Sequence, residues 1–406
     1  MAMKQTQTKL FDYSDVGLDF SSGSMNLFPD RFKKIFTLGY NEQIVTNVTI
    51  VGNQVTLNYG GAHGYAADRV LKVNSGTLAS INNGEFWIDS VTTDTLTFTL
   101  DDAPLSIANG FTTKVAPLGW DLVYEAAPIY IYKFKALDES DLFLRLCFQV
   151  TTGDRNCIAV CIGKSADLVA GTITDPNCIE STRSITSLRT VCPKWEFSPS
   201  GRSSNINYTY AQGFATYGRG MIVGSKHHVV IMGNRNDQAD QKYCNAILPA
   251  AIVNTDADLQ YPMLWCYNSS ASNSSVTFSN ANIFVGYLGK TRVTCNNLDK
   301  NYMFYYYATS ALLPAAIENF NTTVGEPFAI FEHESWQPIG HVVAPIWFLN
   351  FPSTEVGKPP IAASANPEIV EDVEQVKMVR HVPWALGSTL LHATYLVVGL
   401  EEVKFV

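Results

Sequence analysis

The sequence predicts a mainly β protein. We expect a β-sandwich-like or barrel-like main domain that carries an inserted small all-β domain, Ig-like or barrel, with few short helices. Three observations lead to this prediction. Apolar and polar residues alternate with a period of two in several short runs, turn-forming residues separate nearly all of these runs, and helical periodicity is rare. A chain of 406 residues, 46% of them hydrophobic, is long enough to bury such cores.

Two sets of residues show the alternation most clearly. The segments 47–51 and 54–59 flank Gly52-Asn53 and predict a β-hairpin, because glycine readily adopts the positive φ of a two-residue turn. Residues 95–100 alternate threonine with apolar side chains, as a half-buried strand does. Further β-rich runs cover residues 129–134, 142–150, 228–232, 283–288, 303–307, 346–351 and 395–398.

Helical patterns are predicted in two places. In residues 368–380, Asn366 could cap a helix, Pro367 would take its first position, and Ile369 and Val373 share a face. A strand over residues 376–379 is the alternative interpretation of this segment. The second predicted helix covers residues 312–320.

Turn residues also divide the chain into domains. Gly39-Tyr40 and residues 117–120 bracket about six short predicted strands, so residues 41–116 are predicted to form an inserted β domain, here called the inserted module. The main domain then comprises residues 1–40 and 117–406, and a further division near residue 300 is left open. Residues 198–217 and 351–367 are predicted loops longer than the usual 4–6 residues.

Charge and composition limit the classes of partner. Charged residues make up 16% of the chain, against about 25% in typical soluble domains, and the net charge is -9. Clustered Lys and Arg are what bind phosphate backbones, so we expect no nucleic-acid partner. Low charge together with 19 Tyr, 22 Phe and 7 Trp favours surfaces covered by protein partners. The first residues lack the apolar run typical of a signal peptide, and the sequence has no apolar run of 18 residues, so we expect synthesis in the cytoplasm without membrane insertion.

Candidate chemical groups are few. The eight cysteines show no CxxC pair and lie mostly in apolar runs, which favours reduced core cysteines over disulfides or a metal site. His63 is interpreted as a turn residue whose ring hydrogen-bonds nearby backbone, with a pH-sensing or metal-sensing role as the alternative. His227 and His228 are adjacent on a predicted strand and would point to opposite faces, which disfavours a shared metal ion.

Two acidic segments are interpreted as solvated, the first as a strand end and the second as a turn, with a metal ion as the alternative for both and an acid/base role as a further alternative for the first. In Glu332-His333-Glu334, the two carboxylates would share one face, with Trp336 and His341 nearby. Asp237 and Asp240 form an amide-rich acidic turn, which makes them a calcium candidate although their spacing departs from an EF-hand. No nucleophile elbow, P-loop or HExxH motif is present, so we predict no catalytic residue, no cofactor and no enzyme activity.

Interface residues are predicted from prolines and tyrosines. Pro352, Pro359 and Pro360 remove backbone donors and fix φ, so residues 351–367 are predicted to form an extended arm that lies across a neighbouring subunit. Tyr305, Tyr306 and Tyr307 follow one another in a predicted strand. Tyrosine-rich surfaces suit both protein interfaces and sugar stacking, and the alternative is a strand that shares its aromatic rings between core and rim.

Residues 41–116 resemble a small β module of tailed-bacteriophage virion proteins. The resemblance lies in a HGY turn at residues 63–65 before a strand, the strand NGEFWIDSV at 83–91, and the hairpin element DTLTF at 94–98. Within it, Phe86 and Ile88 are expected in a core, because they alternate with Trp87 and Asp89. The motifs consist of turn and strand chemistry, so the resemblance implies no catalytic residue.

The resemblance implies a structural virion protein of the tail or baseplate. It would act by assembly with copies of itself and with other tail proteins, after synthesis in the bacterial host cytoplasm. The alternative is a receptor-binding or carbohydrate-binding protein of the tail tip that contacts host surface glycans. A glycan-cleaving depolymerase is disfavoured, because no fixed-period repeat typical of β-helices is present.

Overall fold

The fold is described from a computed structural model. It describes residues 7–76, 81–198, 206–235, 242–269, 284–295, 326–327, 329–343, 345–352, 366–371, 376–385 and 392–401. Antiparallel strands dominate these residues, which confirms the predicted all-β fold class. In the same residues, no helix is long and apolar enough to cross a membrane.

The strands and helices are numbered in chain order. The first strands are β1 (Lys9–Asp12), β2 (Tyr40–Ile44), β3 (Asn47–Val51), β4 (Gln54–Asn58), β5 (Val70–Asn74), β6 (Glu85–Trp87), β7 (Ser90–Val91), β8 (Thr95–Thr99), β9 (Thr112–Val115), β10 (Asp121–Ala126), β11 (Ile129–Lys135), β12 (Asp141–Phe148), β13 (Asn156–Gly163), β14 (Ala166–Asp167) and β15 (Thr172–Ile173). They are followed by β16 (Cys192–Ser198), β17 (Met221–Gly224), β18 (Val229–Asn234), β19 (Lys242–Leu248), β20 (Ala250–Ile252), β21 (Met263–Ser269), β22 (Phe284–Leu288), β23 (Thr291–Cys295), β24 (Glu326–Pro327), β25 (Ala329–Glu332), β26 (Pro338–Val342), β27 (Ile346–Pro352), β28 (Glu368–Glu371), β29 (Lys377–Ala385) and β30 (His392–Gly399). The helices are α1 (Phe28–Lys33), which continues as a π-helical segment at Lys34–Leu38, and α2 (Tyr210–Tyr217), with 3-10 turns at Met25–Leu27 and Glu180–Thr182.

The largest sheet contains 15 strands of the main domain. Its main path runs β10-β11-β12-β13-β16-β21-β22-β23-β25-β26-β20, and β19, β18, β17 and β1 branch from β21 in that order. A second sheet of five strands, β24-β27-β30-β29-β28, lies at the carboxyl-terminal end of the sequence. The N-terminal strand β1 pairs with β17, so segments far apart in the sequence share this sheet.

The inserted module contains two four-stranded antiparallel sheets, β2-β9-β5-β6 and β3-β4-β8-β7. Within the described residues, these eight strands pair only with one another. Phe86 of the first sheet stacks on Phe98 of the second, with 4.5 Å between ring centroids, so the sheets face each other across a shared core. Phe86 and Ile88 are buried, as the alternation predicts, and the 47–58 hairpin is confirmed with Gly52 at φ +59°.

The two connections of the module run side by side. Tyr40 in β2 pairs with Val115 in β9, so the chain enters and leaves the module through paired strands. Outside the module, Phe36 and Trp120 stack with ring centroids 4.5 Å apart. Helix α1 packs nearby, where Phe28 contacts Phe197 of β16. This arrangement places the module at the edge of a dense aromatic core of the main domain.

The helix predicted over residues 368–380 is wrong. The segment forms β28 and the start of β29, which pair in register from Glu368 opposite Arg380 to Glu371 opposite Lys377. β-Branched Ile369, Val370 and Val379 suit a pleated strand, and the Glu368–Arg380 ion pair closes its end. The alternative, a strand over residues 376–379, was the correct interpretation. The helix predicted over residues 312–320 lies outside the described residues.

Two predicted loops also require correction. Residues 198–217 were predicted as a loop, but they include helix α2, which begins at a capping box formed by Thr209 and Gln212. Residues 351–367 are predicted as a loop whose prolines keep it out of the middle of a sheet, but its first two residues complete β27, where Pro352 lies at the strand end opposite His392. A proline is tolerated there because a strand end needs no further ladder donor. Residues 353–365 of the predicted arm lie outside the described residues.

Candidate functional site

The most developed polar cluster of the structure joins the inserted module to the main domain. We call it the module junction and define it by Asp12, Asp15, Tyr40, Arg69 and Arg219. Asp12 ends β1, Asp15 lies in the turn that follows, and Arg219 precedes β17, the partner strand of β1. Arg69 comes from the module, directly before β5. The cluster therefore ties residues from three distant parts of the sequence.

Arg69 makes the central contact of the junction. Its Nε and Nη2 donate to the two carboxylate oxygens of Asp15 at 2.8 and 2.9 Å, which is the bidentate geometry of a strong ion pair. Burial lowers the pKa of the guanidinium, but the Asp15 carboxylate outweighs burial and holds this pKa above its ordinary value. Tyr40 donates its hydroxyl to Asp15 Oδ2 at 2.7 Å. Burial, followed by the charge of Asp15, raises the pKa of Tyr40.

Asp12 extends the cluster toward the large sheet. Its carboxylate is fully buried, and Oδ2 accepts from Arg219 Nε at 2.7 Å and from Nη2 at 2.6 Å. Oδ1 accepts from the Ser14 backbone and hydroxyl at 3.0 and 2.7 Å. The Arg69 guanidinium lies 3.9 Å away from Oδ2. Each charge at the junction therefore has an opposite charge in contact, which compensates part of its desolvation.

Two further ion pairs flank the junction. Lys9 of β1 contacts Glu85 of β6 at 2.6 Å and donates to the Pro117 carbonyl at 2.5 Å, which links the main domain to both the module and its exit strand. Burial lowers the pKa of Lys9, and Glu85 opposes this shift. At the other side, Lys377 of β29 contacts Asp68 at 2.7 Å. These contacts hold the module in one orientation and present no nucleophile or metal-ligand set.

His63, His227 and His228 are buried and hydrogen-bonded. His63 Nδ1 accepts from the Tyr65 backbone amide at 3.0 Å, and its Nε2 lies 3.0 Å from the Thr95 carbonyl, which confirms the turn interpretation. His228 Nδ1 lies 2.8 Å from Ser225 Oγ, and His227 Nδ1 lies 3.2 Å from the Lys135 carbonyl. Burial, with His227 adding to it, lowers the pKa of His228 to about 3.

Glu332 acts as a turn cap. Its Oε2 accepts from the Ser335 backbone at 2.6 Å, the Ser335 hydroxyl at 2.7 Å and the Glu334 backbone at 3.0 Å. These bonds, the Ser335 backbone bond first, lower the pKa of Glu332 to about 2. His341 lies on β26 opposite Ala251 and Ala329, away from this turn. Among the residues with described positions, no group of three His, Cys, Asp or Glu could hold a metal ion.

The other predicted residues fall into two groups. The side chains of seven cysteines are described, and all seven are buried and free of disulfide bonds, as the apolar runs predict. Pro352 ends β27. The calcium candidates and most interface candidates lie outside the described residues: Asp237, Asp240, Tyr305, Tyr306, Tyr307, Pro359 and Pro360. Sequence reasoning missed Asp12, Asp15 and Arg69. A charged turn directly after the apolar Leu10-Phe11 pair was a signal for Asp12 and Asp15, but it does not point to Arg69.

Asn366, predicted as a helix cap, has a different role. Its Oδ1 accepts from the Arg219 backbone at 3.1 Å and from Asn234 Nδ2 at 2.6 Å. A Cβ at Gly218 would lie 2.6 Å from the same oxygen, so glycine is required for this close approach. Asn366 thus fastens the end of the proline-rich segment beside the module junction, next to Arg219.

Comparisons with known proteins identify no family for this chain. No protein family matches the chain, and no curated protein matches it. Among solved structures, the chain is similar to the phage phi92 endosialidase, with 9% sequence identity and a TM-score of 0.15. The match covers 91% of this chain and 52% of that chain, so this chain spans about half the length of the endosialidase. A TM-score this low assigns neither fold nor function.

Proposed function

We propose that the chain is a structural component of a tailed-phage virion, most simply a tail or baseplate protein that acts through subunit assembly. The observation that carries the proposal is the inserted module. It is a small β-sandwich whose two sheets pack on each other, and paired charges at the module junction fix its orientation on the main domain. A rigidly mounted extra domain suits a protein that must present one surface to a neighbour.

The resemblance of residues 41–116 to phage virion modules supports the same proposal. The motif residues that carry it occupy architectural positions, with Phe86 and Ile88 in the module core and His63 in a hydrogen-bonded turn. The composition adds support, because 16% charged residues with many aromatics favour covered surfaces. The partners would be copies of this chain and other tail proteins.

Purified particles test this proposal. We expect mass spectrometry of gradient-purified phage to find the chain in several copies per particle, and antibody labelling to place it on the tail. A variant that lacks residues 353–365 should fold but should not enter particles, since the predicted arm reaches a neighbouring subunit. Particles that contain none of the chain would contradict the proposal. Normal incorporation of the shortened variant would contradict only the role of the arm.

The second candidate function is glycan binding at the tail tip. Its predicted tyrosines lie outside the described residues, so its support comes from a separate feature, a cavity beside Lys164 and Tyr261. A glycan array separates the two functions, because only the second should give specific hits. Both could hold for one protein, since a baseplate subunit can also contact the host surface.

A further inference from the structure

A cavity of about 300 Å³ opens where five segments of the main domain meet. The β11–β12 hairpin contributes Asp138 and Ser140, Lys164 directly follows β13, and the segment before β21 contributes Gln260 and Tyr261. The other two segments contribute His227, before β18, and Pro249 with Ala250, at the start of β20. This volume is at the lower end of the range for small-molecule pockets. The cavity is separate from the module junction and lies on another part of the large sheet.

The cationic side of the cavity is held in place by its neighbours. Lys164 Nζ donates to the Ala257 carbonyl at 3.0 Å and lies 4.3 Å from the centre of the Tyr261 ring. Tyr261 in turn donates its hydroxyl to Asp175 Oδ2 at 2.6 Å. The same oxygen accepts from the backbone amide of Lys164 at 2.7 Å. These bonds fix the ammonium group before any ligand arrives, which lowers the entropy cost of binding.

The anionic side is fixed as well. Asp138 Oδ1 accepts from the Ser140 hydroxyl at 2.6 Å and from the Ser140 backbone at 3.0 Å. The hydroxyl bond, followed by the backbone bond, lowers the pKa of Asp138, so it is a carboxylate at neutral pH. Lys164 is close enough to lower this pKa further. One carboxylate and one ammonium therefore face the same small space.

The remaining wall is partly apolar. Leu142, Pro249 and Pro262 line the cavity together with His227, and Leu142, Pro249 and His227 are buried. A ligand for this space needs an apolar face and groups that both donate to a carboxylate and accept from an ammonium. Hydroxyl groups on a saturated ring meet both needs. An anionic ligand fits less well, because the Asp138 carboxylate would repel it.

We propose that this cavity binds one unit of a neutral saccharide, with Asp138 accepting and Lys164 donating hydrogen bonds to its hydroxyl groups. The proposal rests on the second candidate function above and names its site and ligand class. Asp138 and Lys164 are both exposed, so a glycan chain can continue from the cavity into solvent. Hydrogen bonds to charged groups are stronger than those between neutral groups, so loss of either charge should weaken binding of a single sugar unit at least tenfold.

The test uses the full chain on an array of neutral and uronic-acid oligosaccharides, followed by calorimetric titration with the strongest neutral hit. Asp138→Asn and Lys164→Gln remove one charge each, and Asn keeps an acceptor for Ser140. We expect at least a tenfold loss of affinity in each variant. The matched controls Asp121→Asn and Lys133→Gln change the same charges on β10 and β11, outside the cavity lining, and should stay within twofold. Circular dichroism verifies that all four variants fold.

Each other outcome counts against a defined part of the proposal. If the chain binds a glycan and both cavity variants bind it equally well, this cavity is not the site, although glycan binding stands. If uronic acids bind more tightly than neutral sugars, the ligand class is wrong. If the parent chain binds no saccharide on the array and none in titration at 10 mM glucose, galactose or N-acetylglucosamine, both the cavity proposal and the second candidate function fail.

Discussion

The inserted module and the large sheet bury their strands in different ways. In the module, β4 and β8 alternate between buried and partly exposed side chains. In the large sheet, β13 and β16 are buried at every position. A strand with one solvent-exposed face shows a period of two in its sequence, whereas a strand buried on both faces does not. The module is thus the region whose architecture its own sequence specifies locally.

The buried strands of the large sheet also contain charges. Glu196 of β16 is fully buried and contacts Arg155 at 3.0 Å, and Lys194 of the same strand donates to the Thr190 carbonyl at 2.7 Å. On β4 and β8 of the module, the polar residues lie on the more exposed face. In β16 they are buried, and Glu196 receives its partner from the segment before the neighbouring strand β13. Residue type therefore indicates exposure along these two module strands and fails to do so along β16.

The first prediction, with the largest expected effect, concerns the structure of the module when it is separated from the main domain. Leu57, Phe86 and Phe98 are buried, and Phe86 stacks on Phe98 across the two module sheets, while the charges of Asp68 and Arg69 become solvated when the main domain is absent. We expect residues 40–116 expressed alone to give a dispersed amide NMR spectrum. A collapsed, random-coil spectrum would show that the module depends on the main domain for its structure.

Arg69→Met should give the next largest effect, a loss of folding stability. The substitution leaves Asp15 and Asp12 buried with one positive charge fewer to compensate them. Removing one partner of a buried pair costs about 3–5 kcal/mol. We expect a matching fall in the free energy of unfolding measured in urea, with faster proteolysis near Gly39. Lys377→Gln is the control at the same junction, since its ion pair with Asp68 is half-exposed and should be worth about 0–1 kcal/mol. Equal effects of the two substitutions would mean that the junction is not a buried electrostatic contact.

Acid should destabilise the main domain through its buried histidines. Burial lowers the pKa of His228 to about 3 and, with Lys242 adding to it, that of His381 to about 3. Below pH 6.5 the unfolded chain takes up protons that the folded chain does not, so this stability is complete above pH 6.5 and is lost as pH falls toward 3. Each histidine contributes a slope of up to about 1.4 kcal/mol per pH unit.

His228→Gln should remove that share of the slope between pH 6 and 4, as measured by urea unfolding at each pH. Lys133→Gln on β11 should leave the slope unchanged, because it alters a half-buried lysine and no histidine. A His228→Gln protein with the parent slope would show that the imidazole is accessible to protons in the folded state.

The smallest effect is expected at the module hairpin. Gly52 has φ +59° and open space around the position of a Cβ, so only its backbone conformation resists substitution. Gly52→Ala should cost about 1 kcal/mol and Gly52→Asn less, since asparagine tolerates this region better. Gly61→Ala is the control, because Gly61 also has open space but no positive φ. Urea unfolding of each variant measures the difference. Equal stability of the Gly52 and Gly61 variants would contradict the turn assignment.

The elements that could be predicted from the sequence are those whose structure depends on residues close together in the chain. The hairpin at Gly52 and the alternation of Phe86 and Ile88 depend on neighbouring residues alone. Helix α2 also has a local signal, the Thr209–Gln212 capping box, but its Ser- and Asn-rich flank outweighed it. Asn366 shows the opposite case. Its partners, Arg219 and Asn234, are more than 130 residues away, so the same side chain that could cap a helix instead fixes two distant segments.

The candidate sites were harder to predict for the same reason. At the module junction, Asp15 and Arg69 are 54 residues apart, and Asp12 and Arg219 are 207 apart. The cavity groups Asp138, Lys164 and Tyr261 come from three segments. No spacing rule relates residues that meet only through strand order, so such clusters follow from the fold and not from a motif.

The pairing of β1 with β17 also sets the order in which the protein can fold. Lys9 lies opposite Gly224, 215 residues later in the chain. At about 5–20 residues per second, a ribosome needs roughly 10–40 s to synthesise that interval. During this time Leu10 and Phe11, both fully buried in the finished fold, have no partner strand and are open to aggregation. We therefore expect the nascent chain to depend on a holding chaperone until β17 emerges, while the module can fold as soon as β9 is made.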